Sequence, residues 1–220
     1  MTSIIRKLAS GSLVLAILFS SASPARAQQA APQPGQVDTQ RSKAYAFVGA
    51  RGLGHEHGVE GRLVSGTVRL GAAQQAGALV FDMKSFVCDT AESRRAVGLQ
   101  GTTDDSTQQQ TTANMVGTSV LDVAKYPTAT FVIRSSLPLA KQQATDPDGF
   151  ELAGDFTLHG VTRPLTIRVV AEPGQQVVRL RGQFSVKQTD FGMKPLSKAL
   201  GAIGVADEVK IWGDVSIAAQ

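Results

Sequence analysis

Cysteine is nearly absent from this 220-residue chain: Cys88 stands alone, so no disulfide can form within it. Aromatic residues make up only 5%. With basic residues scattered along the chain, that leaves too few stacking rings for a single-stranded nucleic-acid groove. Histidine occurs three times, and no two histidines lie four residues apart, which excludes the helical zinc-protease pattern. The chain has no GxSxG elbow, no phosphate-cradling P-loop and no GxGxxG, and no serine or cysteine adjoins a histidine. Beyond the first 27 residues no run is apolar enough for a membrane helix, which needs about 20 residues. No cofactor is expected.

What is present begins with an export signal. Arg6 and Lys7 precede an apolar stretch over residues 8–19, and Ala25-Arg26-Ala27 is a small-x-small cleavage site. Residues 1–27 are therefore read as a signal peptide, and the expected location is the periplasm. The whole chain carries 22 basic and 18 acidic residues. Loss of Arg6, Lys7 and Arg26 leaves 19 against 18, so the mature protein has no charge excess to attract nucleic acid or an anionic surface. Residues 28–42, rich in Gln, Pro and Ala, read as a flexible leader, and residues 43–220 as one domain.

That domain is patterned with period two. Leu79, Phe81 and Met83 share one parity, as do Phe131 and Ile133. Val178, Leu180, Phe184 and Val186 form a row interrupted by Gly182, and Val209, Ile211, Val215 and Ile217 form one interrupted by Gly213. Val64, Val68 and Leu70, with Gly66 among them, suggest another. A glycine inside an inward row suits a bend or bulge in a curling sheet. Turns are expected at Asp146-Pro147-Asp148-Gly149 and at Glu172-Pro173-Gly174. Residues 156–172 (FTLHGVTRPLTIRVVAE) read as a hairpin turning at His159-Gly160.

Met115, Val116, Ser119, Val120 and Val123 have helical spacing, which predicts a short helix ending before Tyr126-Pro127. The polar residues 101–113 ahead of it read as a mobile excursion. About eight strands and one short helix describe an all-β, antiparallel barrel or sandwich. Eight strands can enclose one small ligand.

Few residues offer chemistry. His55 and His57 would point the same way in an extended segment and could share a metal, though the glycines around them also fit a solvated loop. Cys88 reads as a packed small hydrophobe rather than a reactive thiol.

Four ordered motifs, DVAKYPTATFVI, FTLHGVTRPLTI, FSVKQTDFGM and GVADEVKIWGDV, make the chain resemble the YceI family of lipocalin-like, polyisoprenoid-binding periplasmic proteins. The resemblance implies an eight-stranded antiparallel barrel whose apolar interior takes an isoprenoid lipid or a quinone-like ligand, and often pairing into a homodimer. Phe131, Phe156 and Phe184 would then line the interior, with Tyr126 and His159 at its mouth. His159 could instead bond the backbone of its own turn. The chain departs from the family where an Arg-Asp-x-His-Leu run is usual before Tyr-Pro: Thr112-Ala113-Asn114-Met115 stand there, without charge. The leading expectation is a non-catalytic lipid-binding protein. The alternatives are a metal protein using His55 and His57, or a barrel packed solid.

Overall fold

The computed structural model describes residues 32–219. The expected signal peptide (residues 1–27) and the first residues of the expected leader lie outside that range.

Seven strands follow one another in an antiparallel meander: β1 (Lys43–Gly52), β2 (His57–Val68), β3 (Gly77–Cys88), β4 (Thr128–Pro138), β5 (Asp148–Leu158), β6 (Val161–Pro173) and β7 (Val177–Lys187). After a two-residue strand β8 (Ser197–Lys198), the long β9 (Ile203–Ala218) pairs with β7 on one side and β1 on the other. That double pairing closes an eight-stranded antiparallel barrel and removes the open edge that a meander would otherwise expose. No helix among the described residues is long and apolar enough to cross a membrane.

The period-two rows point inward as their alternation requires. Leu79, Met83, Phe131, Ile133, Leu152, Leu180, Val215 and Ile217 are all buried. One row breaks. Leu63 pairs with Phe81 but Ser65 with Val80, so Val64 is an extra residue in a β-bulge. The bulge reverses the parity, leaving Val64 55% exposed while Val68 is fully buried. A larger excursion separates the pairs Glu60–Val87 and Arg62–Asp82. It lays the Phe86 ring over Gly61, where a Cβ would lie 2.3 Å from the ring.

Small residues meet across four consecutive strands. Gly61 pairs with Ala44, Ala44 with Gly213, and Gly213 with Gly182. At Ala44, Gly213 and Gly182 this belt leaves the wall almost no side-chain volume, while at Gly61 the Phe86 ring fills the place.

The hairpin at residues 156–172 forms as read. Leu158 pairs with Val161, and His159 (φ 50°) and Gly160 (φ 75°) make the two-residue turn. Positive φ at both positions fits the strand twist and is tolerated by Gly, and less readily by His. Of the other two expected turns, the one at Glu172-Pro173-Gly174 forms between β6 and β7, with the Gly174 amide donating to the Val177 carbonyl. The one at 146–149 lies earlier, because β5 already begins at Asp148. There the Asp146 carboxylate accepts from the amides of Gln142 and Gln143.

Two expectations are corrected. The leader is not flexible throughout: Val37 is buried, Gln36 bridges to Thr67 and Val37 to Ile217. The amide of Val68 donates to the Gly35 carbonyl, and Ser42 is buried against Ser216. The backbone makes most of this connection, which an apolar-residue count does not register. The helix is also displaced. α1 (Ala91–Ala96) and α2 (Asp105–Val116) connect β3 to β4, so α2 occupies the stretch read as a mobile excursion. Asp104 caps it by accepting from the Thr107 amide at 3.0 Å. The helix ends at Gly117, and Val120 and Val123 follow it in turns.

Candidate ligand-binding cavity

The inward rows of all eight long strands surround a cavity of about 170 Å³, measured as space open to the centre of a water molecule. One water needs only about 10–15 Å³ on that measure. The interior is therefore open rather than packed solid.

Phe131, Phe156 and Phe184 line it, with Phe81 and Ile211, whose parity was visible in the sequence, and Phe86, which the break in β2–β3 register turns inward against the parity of its strand. Phe156 and Phe184 meet edge to face at 5.7 Å, an arrangement their ring quadrupoles favour. The last turn of α2 adds Met115 to the lining, and the segment joining α2 to β4 adds Val120 and Leu121. No charged side chain lines the cavity. Gln188, at its rim, donates through Nε2 to the Ala206 carbonyl at 2.8 Å.

Tyr126 and His159 are not in the cavity wall. Tyr126 packs against His159 with ring centroids 4.4 Å apart and planes tilted by 52°, and lies so close over Gly160 that a Cβ there would meet its ring at 2.6 Å. His159 Nδ1 lies 3.2 Å from the Phe191 carbonyl oxygen, to which it donates. It thus bonds a distant backbone group, neither a ligand in the cavity nor its own turn. The sequence signal for this was the co-occurrence of the HG and TDFG motifs, which the fold brings together.

His55 is exposed, whereas His57 is engaged elsewhere: its Nδ1 lies 2.6 Å from Asp89 Oδ2. Asp89 is buried and also accepts from the Gly58 amide at 3.0 Å and Arg94 Nη1 at 3.2 Å. Burial by itself would raise the Asp89 pKa, but the bonds from His57, Gly58 and Arg94 outweigh it and hold the carboxyl below its usual range. Among the described residues no group of three or more His, Cys, Asp or Glu is placed to hold a metal ion. Cys88 is buried with its Sγ 3.4 Å from Met115 Sδ, and burial pushes its thiol up to about 12. It stays a neutral thiol at physiological pH.

Comparison with known proteins follows the same outline. A UPF0312 protein of Azotobacter vinelandii is 30% identical over 119 residues, covering 50% of this chain and 59% of the relative. Protein YceI of Escherichia coli O17:K52:H18 is 28% identical over 124 residues, covering 54% and 59%. The chain thus spans about three-fifths of the length of these curated relatives. Among solved structures, Burkholderia cenocepacia BcnA shares the fold with a TM-score of 0.54 at 21% identity, over 82% of this chain and 98% of that one. The YceI-like domain profile matches residues 36–217, from the first bridge of the leader to the end of β9. This closed barrel therefore belongs to the YceI-like family.

Proposed function

We propose that the protein is a non-catalytic, exported binding protein that holds a polyisoprenoid or similar lipid inside its barrel. One observation carries this reading: a closed barrel with an open interior that no charged side chain lines. Such a site recognises by shape and apolar burial, at about 0.8 kcal/mol for each methylene taken from water, before the costs of association. An enzyme would instead need convergent polar groups, and the Asp89–His57 pair faces Arg94 and Gly58, not the cavity.

Solvent extraction of the purified protein followed by mass spectrometry is expected to recover a long-chain lipid. Empty protein in repeated preparations, which also fails to take up a polyprenol or a quinone, would sink the proposal. The export part has its own test. The basic, apolar and small-x-small order of residues 1–27 supports cleavage after Ala27. N-terminal sequencing of periplasmic protein is expected to begin at Gln28; an intact chain retained in the cytoplasm would overturn it.

A further inference from the structure

The barrel wall parts between β6 and β7. Their pairing runs only from Val169–Gly182 to Pro173–Val178, although β6 starts at Val161 and β7 continues to Lys187. Gly182 marks the point of separation: a Cβ there would lie 2.8 Å from both the Arg168 carbonyl oxygen and Val169 Cγ1. Pro164, which has no N–H to donate, stands in the separated stretch, as proline in sheets is confined to edges.

The parting leaves an open recess. Phe156, Leu165 and Val186 line both it and the main cavity, so the two share a wall. The rest of its surface combines polar Arg163, Ser185 and Asp190 with apolar Pro164 and Phe191. The 3₁₀ turn Gln188–Phe191 forms its base, where Phe191 meets Phe156 edge to face at 5.7 Å. Arg163 Nε donates to the Asp190 carbonyl at 3.1 Å, and the terminal nitrogens of that guanidinium make no hydrogen bond among the described residues.

We propose that this recess is a head-group subsite, in which Arg163 binds the carboxylate or phosphate of a single-chain amphiphile whose hydrocarbon lies in the barrel. The proposal rests on the lipid-binding reading above. A charged head is disfavoured in the main cavity, because no charged side chain lines it to replace the head's hydration. From α2 and the segment after it only Met115, Val120 and Leu121 line the cavity, so that part of the wall offers no charge either. The recess supplies a guanidinium with free donors in fork geometry, and strand edges whose backbone groups lack each other as partners. Asp190 at the rim disfavours a second negative charge, which ranks a carboxylate above a phosphate dianion.

Displacement of 1-N-phenylnaphthylamine by palmitate, hexadecyl phosphate and hexadecanol tests this. Arg163→Ala is expected to weaken palmitate and hexadecyl phosphate roughly ten-fold or more and to change hexadecanol less than about two-fold. Arg163→Lys is expected to restore much of the loss, and Asp190→Asn to tighten hexadecyl phosphate more than palmitate. Equal weakening of all three by Arg163→Ala would show that Arg163 only holds the turn, and no change in any would show that it binds no head group; either overturns the subsite. A wild-type protein that takes up the dye and releases it to hexadecanol, but to neither anion, also overturns it while leaving the barrel reading intact. Failure of the wild type to take up any of these probes would remove the barrel reading, and the subsite with it.

Discussion

Replacing Gly213 with phenylalanine is expected to raise the dissociation constant for a lipid probe about fifty-fold or more and to leave thermal stability unchanged or improved. Gly213 lies in the cavity wall, and a Cβ built on it would meet nothing nearer than Val215 Cγ2 at 4.0 Å. A new ring would project into the space the small-residue belt leaves open. A ligand denied roughly 100 Å² of apolar contact loses about 2.5 kcal/mol, and each 1.4 kcal/mol is about ten-fold in affinity. Stability should not fall, since glycine in a strand carries an entropic cost that any side chain relieves. Gly61→Phe is the informative contrast: the Phe86 ring already covers that position, so the barrel itself should suffer. Titration of probe fluorescence beside a thermal melt checks both halves. A Gly213→Phe protein that melts like wild type yet binds with unchanged affinity would place the ligand outside the barrel.

Asp89→Ala is expected to cost about 2–3 kcal/mol of folding stability, the largest single loss anticipated outside the apolar core. The carboxylate ties the start of β2, through His57 and the Gly58 amide, to Arg94 on α1. Removing it leaves three donors without this acceptor, the buried Gly58 amide among them; because His57 and Arg94 keep 20% and 16% of their side-chain exposure, the cost falls below that of a fully buried pair. The pH dependence has a definite sign. The folded-state pKa is depressed, so the contribution of Asp89 is complete above the ordinary carboxylate range near 4 and fades as pH falls through the lower folded value. Denaturant unfolding at pH 7 and again near pH 3 should show the gap between wild type and variant narrowing with acid. An equal gap at both values, or none at pH 7, would show that the carboxylate is not a stabilising hub.

Much of the container could be read from period-two rows, because a residue facing a barrel interior must be apolar wherever it stands. The rows marked Phe131, Phe156 and Phe184 as strand residues, and the family resemblance, not parity, turned them inward, where they line the cavity. Parity failed where the backbone changed count, as at Val64, since a bulge leaves no mark in residue type. The helix was misplaced because apolar spacing at Met115–Val123 outweighed the Asp104 cap, although α2 has no buried residue and owes its start to that cap. The leader deceived for a related reason: one apolar side chain, Val37, and several backbone bonds suffice to anchor it. The recess between β6 and β7 could not be seen at all. It depends on where two strands stop pairing, and only Gly182 and Pro164 hint at it.

The way the barrel closes bears on when it can fold. β1 finds its second partner in β9, and Val37 bridges to Ile217, near opposite ends of the domain. Contacts this distant in sequence are slow to form, because the whole intervening chain must be looped before they return any stabilisation. Until β9 arrives, β1 and β7 each present an unpaired edge and the interior is open to water. A chain crossing a membrane from its N-terminus would remain in that state until its last strand emerged. On the export reading proposed above, its native structure would be a product of its destination rather than of its synthesis.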